Sequence, residues 1–99
     1  VPLELKPWDA VEMLKDEETM AAYLEEAFAD GDPALIAKAI GNVARARNVA
    51  AIARETQLSR DTIYSAFSPG GNPTLATLLA VTRALGFELT IRPAPVVAE

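Results

Sequence analysis

The chain contains neither cysteine nor histidine. Without thiols there is no disulfide framework and no thiolate metal site, and without imidazole the usual metal ligand and general base are missing. Ser59, Ser65 and Ser68 have no histidine to activate them, and the carboxylates crowd the N-terminal third. The expectation is therefore no enzyme, no catalytic residue, no metal and no cofactor. Long apolar runs are lacking too: none approaches the ~20 residues a membrane span needs. No basic stretch followed by an apolar core opens the sequence, so no signal peptide is expected. A cytoplasmic protein that does not enter membranes follows from these absences.

Ninety-nine residues amount to one domain, or a domain with an arm. A chain this short buries a modest core, so dimerisation would support it. The net charge of −5 is unevenly spread. Residues 1–33 hold two lysines against ten carboxylates, while residues 34–99 hold seven basic side chains against four acidic ones. An acidic arm joined to a mildly basic domain suggests a nucleic-acid face on one side and a different partner on the other. Solvation of the acidic helix is the competing explanation for the arm.

The apolar spacing divides the chain further. Leu3-Glu4-Leu5-Lys6 alternates as a short strand before Pro7, and Trp8 to Leu14 suits a helical turn or two. Asp16 to Ala29 predicts a helix with Met20, Leu24, Ala27 and Phe28 on one face and Gly31 as its stop. Asp32-Pro33 restarts a helix whose stripe is Leu35, Ile36, Ala39, Ile40 and Val43, ending near Arg47. Residues 68–73 are turn formers, Thr74 caps a helix from Leu75 to about Leu85, and Gly86 ends it. Leu75, Leu78, Leu79, Val81, Thr82 and Leu85 are its core candidates. Phe87, Leu89 and Ile91 then alternate with polar residues, which predicts a half-buried strand. That strand would pair with Leu3–Lys6, with its own copy, or with another protein. The tail 93–99 reads as disordered. The organisation expected is an acidic arm (1–31), a helical domain (32–86), a short strand (87–92) and the tail.

Val49 to Phe67 carries the most information. Ile52 and Ala53 run into a tight turn at Gln57-Leu58, and Ser59 opens a second short helix with Ile63 and Phe67 on one side. Two short helices joined by about 3–4 residues form the helix-turn-helix, whose second helix enters the DNA major groove. Ala53 lets the helices cross closely, and Ile52, Leu58 and Ile63 wedge the crossing. Two ordinary packing helices of an alanine-rich domain would show a similar pattern.

The whole order of elements resembles a phage-repressor (Xre/Cro-type) domain: a mostly α, lambda-repressor-like helix-turn-helix fold of about five helices. Tyr23-Leu24, Gly31-Asp32-Pro33, Ala44-Arg45-Ala46-Arg47, Leu58-Ser59-Arg60, Tyr64, Gly71-Asn72-Pro73, Ala76-Thr77 and Arg83-Ala84-Leu85-Gly86 make it similar to the HigA-type addiction-module antidotes over roughly residues 8 to 92. That resemblance implies the antitoxin of a type II toxin–antitoxin module, which binds a RelE/HigB-like ribonuclease toxin and represses its own operon. A stand-alone prophage-type repressor is the alternative, and a protein-binding module that has lost DNA binding is a third. The chain departs from such repressors twice. Val49-Ala50-Ala51 stand where a phosphate-holding Gln is usual, and Gln57 stands where the turn usually has Gly.

With Ile63 and Phe67 facing in, Ser59, Arg60, Asp61, Thr62, Tyr64 and Ser65 face out and are the candidate base readers. Arg60 leads, because Arg with guanine is the commonest specific pair. Asp61 could accept from cytosine or order Arg60, and Tyr64 could meet a thymine methyl or a phosphate. Asn72 and Thr74, at a helix start, together with Arg45 and Arg47, are the candidate phosphate contacts. A weakly basic domain of this kind calls for a homodimer on two half-sites of operator DNA. The toxin is expected on Tyr23, Leu24, Glu25 and Phe28, with Glu26 adding charge, since a ribonuclease presents a basic face. Packing of Leu24 and Phe28 into the core is the plainer alternative.

Overall fold

A computed structural model describes residues 15–95 of the chain. Its five helices are α1 (Glu17–Asp30), α2 (Pro33–Arg47), α3 (Val49–Thr56), α4 (Arg60–Ala66) and α5 (Leu75–Ala84). The described residues are thus mostly helical, compatible with a helix-turn-helix-like fold. The expected strand at Leu3–Lys6, the helical turn at Trp8–Leu14 and the tail after residue 95 lie outside them.

Each helix begins at a short polar side chain that satisfies an orphan backbone donor. The Asp16 carboxylate accepts from the Thr19 N–H at 2.7 Å and Asp32 from the Ala34 N–H at 3.0 Å. Thr74 Oγ1 accepts from the Thr77 N–H at 3.1 Å. Gly31, at φ +83°, closes α1 in the left-handed conformation. Asn48 serves two helices. Its N–H donates to the Ala44 carbonyl at the end of α2, and its side chain accepts from Ala50 and Ala51 at the start of α3.

The centre of the core is drawn from α2, from the end of α4 and from the end of α5, which rests on α3. Ile40, Val43, Ile63, Phe67, Val81 and Leu85 are fully buried. Met20, Leu24 and Ala27 bring α1 onto it, and Val49 and Ile52 bring α3. At Gly41, α2 and the end of α4 approach closely. The glycine's missing Cβ leaves room for the carbonyl oxygen of Phe67 at the end of α4. This seats the C-terminal end of α4 directly on the backbone of α2.

Three expectations need correction. Residues 87–92 form no strand, and the described residues contain no strand with which they could pair. A strand needs a partner for its backbone donors and acceptors. Without one, Phe87 packs on the core while Leu89 is exposed and Ile91 is 97 % exposed. Leu75 is 69 % exposed, because it is the first residue of α5 and packing begins one turn later at Leu78. Leu35, in the first turn of α2, is exposed as well, and the buried stripe begins at Ala37.

Candidate functional site

The segment joining α3 to α4 is three residues long, Gln57 to Ser59. Gln57 adopts the left-handed backbone that its place in the turn demands, at φ +63°. Thr56 steadies the turn. Its hydroxyl donates to the Ile52 carbonyl at 2.8 Å and accepts from the Leu58 N–H at 3.2 Å. Leu58 packs against the core, to which Ile52 and Ile63 also belong, both of them buried. Ser59 Oγ accepts from the Thr62 N–H at 3.0 Å and donates to the Thr62 hydroxyl at 2.8 Å, so α4 starts where the capping pattern placed it.

Burial of Ile63 and Phe67 turns the rest of α4 outward. Ser59, Arg60, Asp61, Thr62, Tyr64 and Ser65 are all exposed. Grooves flank the helix. On one side Arg45, Arg47 and Arg60 line a groove with Asn48, Val49, Ala50 and Tyr64. On the other, Asp61, Thr62 and Ser65 face Asn72 and Thr74 across the Gly70-Gly71 turn. At the N-terminal end of α4, Arg54 and Arg60 line a third hollow with Gln57 and Ser59. All the residues singled out for DNA contact therefore lie along one helix and its margins.

Three neighbours escaped the sequence reading. Arg54 belongs to the basic margin, and its place beside Arg60 depends on the crossing of α3 and α4. Asn48 is the joint between α2 and α3, at φ +144°. Asn42 is buried in the middle of α2, and its Oδ1 accepts from Arg45 Nη1 at 3.2 Å. The Arg45 guanidinium lies 5.7 Å from the Tyr64 ring centroid, a cation–π distance. A polar residue one position from the core stripe was the only signal for Asn42.

The candidate partner residues divide. Leu24 is buried in the core. It floors a groove walled by Glu25 and Phe28 from α1 and by Phe87, Leu89 and Arg92 from the C-terminal segment. Phe28 is 36 % exposed and Glu25 is exposed, so both remain at the surface. Tyr23 is half-buried and its hydroxyl accepts from Asn42 Nδ2 at 2.9 Å, away from that groove. Glu26 is exposed. Among the described residues, no group of three or more acidic, histidine or cysteine side chains is placed to hold a metal ion. No helix there is long and apolar enough to cross a membrane.

The chain is 40 % identical over 89 residues to an uncharacterised protein of Haemophilus influenzae, covering 90 % of this chain and 92 % of that one. No solved structure matches it. A family described as probable addiction module antidote proteins matches residues 4–93, nearly the whole sequence, and the chain belongs to that family.

Proposed function

We propose that this chain is the antitoxin of a type II toxin–antitoxin module and represses its own operon by reading DNA through α4. The domain acts as a lambda-repressor-like helix-turn-helix, with α3 crossing the backbone and α4 in the major groove. The observation that carries this is the exposed face of α4, set between a groove lined by three arginines and the Asn72–Thr74 loop. Arg60 sits at the first position of α4, where a bidentate Arg–guanine contact is worth about 1–3 kcal/mol of discrimination. Ser59, Asp61, Thr62, Tyr64 and Ser65 complete the reading face. The flanking phosphates fall to Asn72 and Thr74 on one side and to Arg45 and Arg47 on the other. Arg45 and Arg47 stand beside Val49 and Ala50, and so supply cations where a phosphate-holding Gln is missing. A homodimer on half-sites about 34–36 Å apart would double these contacts.

Membership of an antidote family supports a toxin partner. Its seat is the acidic outer face of α1, where Glu25, Glu26 and Phe28 are exposed beside Tyr23. A RelE/HigB-like ribonuclease, basic where it meets RNA, complements that face. The test is titration of the DNA upstream of its own gene across a salt series, with and without Arg60→Ala. Sequence-specific binding that weakens with salt and loses its specificity in the variant is the expected result. Equal affinity for a shuffled duplex would refute operon repression by this chain alone.

A further inference from the structure

Asn42 is 1 % exposed, and both ends of its amide are engaged by other helices or turns of helix. An arginine can only donate hydrogen bonds, so the amide oxygen must face Arg45 and the NH2 must face Tyr23. The distances agree: 3.2 Å from Arg45 Nη1 to Oδ1 and 2.9 Å from Nδ2 to the Tyr23 hydroxyl. Beyond Asn42, the guanidinium lies over the exposed ring of Tyr64 at 5.7 Å. A continuous chain of polar contacts therefore runs from α1 through the middle of α2 to the outer face of α4. Arg45 itself is exposed. A free arginine there would sample many rotamers and pay for its ordering on meeting a ligand.

We propose that Asn42, oriented by the Tyr23 hydroxyl, is a positioning residue that holds the Arg45 guanidinium over Tyr64, ready to receive a DNA backbone phosphate. This rests on α4 and its arginine margin being the DNA face. Asn42 touches no nucleic acid. It acts by presenting an acceptor at one fixed point, which keeps Nη1 inward and leaves the remaining guanidinium donors for the groove. Tyr23 is needed because an Asn42 amide without a partner for its NH2 would be free to turn and lose the acceptor at Arg45.

Tyr23→Phe removes a single oxygen and keeps the ring that packs on the core, so it perturbs the chain of contacts with little effect on folding. Two measurements are made on the full-length protein. The first follows the Arg45 side-chain NMR signals, displaced by the Tyr64 ring current, in the wild type, in Tyr23→Phe and in Asn42→Ala, with Tyr64→Leu as the zero point. The displacement is expected to fall by half or more in Tyr23→Phe. The second is a double-mutant cycle on binding to the duplex upstream of its own gene. Tyr23→Phe should weaken binding several-fold beside Arg45 and have no further effect on an Arg45→Ala background. An unchanged ring-current displacement, or equal weakening on both backgrounds, overturns the positioning role. Loss of the displacement in a protein that binds its duplex no better than a shuffled one would instead refute the DNA face and leave Asn42 as the orienting group of Arg45.

Discussion

Substituting Gly41 by alanine should destabilise the protein even though alanine is the better helix former. In an exposed helix interior this change gains about 0.8–1.0 kcal/mol of propensity. Gly41 lies inside α2 with its Cα facing the last residue of the core on α4. A Cβ built there collides with the carbonyl oxygen of Phe67 and comes within 3.3 Å of the Phe67 Cβ. The obstacle is backbone, so no side chain can swing away. Either α2 and α4 move apart by about 1 Å or the end of α4 unwinds, because ordinary contact needs roughly 3.5 Å. Phe67, Ile40 and Ile63 surround the point and are at most 1 % exposed, so separation opens the centre of the core. Overpacking of this kind costs about 1–3 kcal/mol. Because backbone must move here, the upper part of that range, about 2–3 kcal/mol, applies, and the net loss after the propensity gain is about 1–2 kcal/mol, a fall in Tm of roughly 5–15 °C for a domain this size. Thermal unfolding followed by circular dichroism measures it, with Gly70→Ala as control, since a Cβ at Gly70 meets nothing within 4 Å. A Tm for Gly41→Ala at or above that of the wild type would refute the close approach of α2 and α4.

Three further outcomes follow from the helix ends. The Asp16 carboxyl is held below its ordinary value of 3.8 chiefly by the Thr19 N–H and then by the Thr19 hydroxyl. Its support of α1 is thus fully present above pH 3.8 and is lost as pH falls through the lower folded-state value. Cα shifts of residues 17–20 should show the first turn loosening there, and Asp16→Asn should flatten that dependence. Gln57→Gly should stabilise by up to about 1 kcal/mol, since it relieves a left-handed backbone at some cost in unfolded-chain entropy; a lower urea midpoint would count against strain at φ +63°. Ser59→Ala removes the acceptor for the Thr62 N–H and should cost about 1 kcal/mol. Ser59→Asp, which keeps an acceptor, should recover most of that loss in the same unfolding assay.

Helix starts were the most legible part of this fold. Asp32-Pro33, Ser59 and Thr74 each announced one by a local side chain-to-backbone hydrogen bond that needs no tertiary context. The face of α4 was legible for a related reason: burying Ile63 and, just past its end, Phe67 leaves a seven-residue helix few other directions for its remaining side chains. Phe87–Arg92 misled because alternation reports only which side chains could share a face, while a strand also requires a neighbour. Leu75 shared the apolar spacing of α5 but lies a turn outside the region that α3 and the core cover. Asn42 was invisible because a single asparagine in a helix reads as surface. Its burial depends on Tyr23, nineteen residues away, meeting it from another helix.

The brevity of α4 has a thermodynamic consequence. Seven residues are too few to hold a helix in water, since isolated helices shorter than about 12–15 residues are marginal. Its outward side chains therefore exist as an ordered set only while Ile63 and Phe67 remain seated in the core. Any molecule that grips that set binds the folded chain alone, and mass action obliges it to raise the melting temperature in proportion to the logarithm of its concentration. The melting curve is consequently a ligand detector: a duplex that engages α4 must shift it, whether or not its sequence has been guessed in advance.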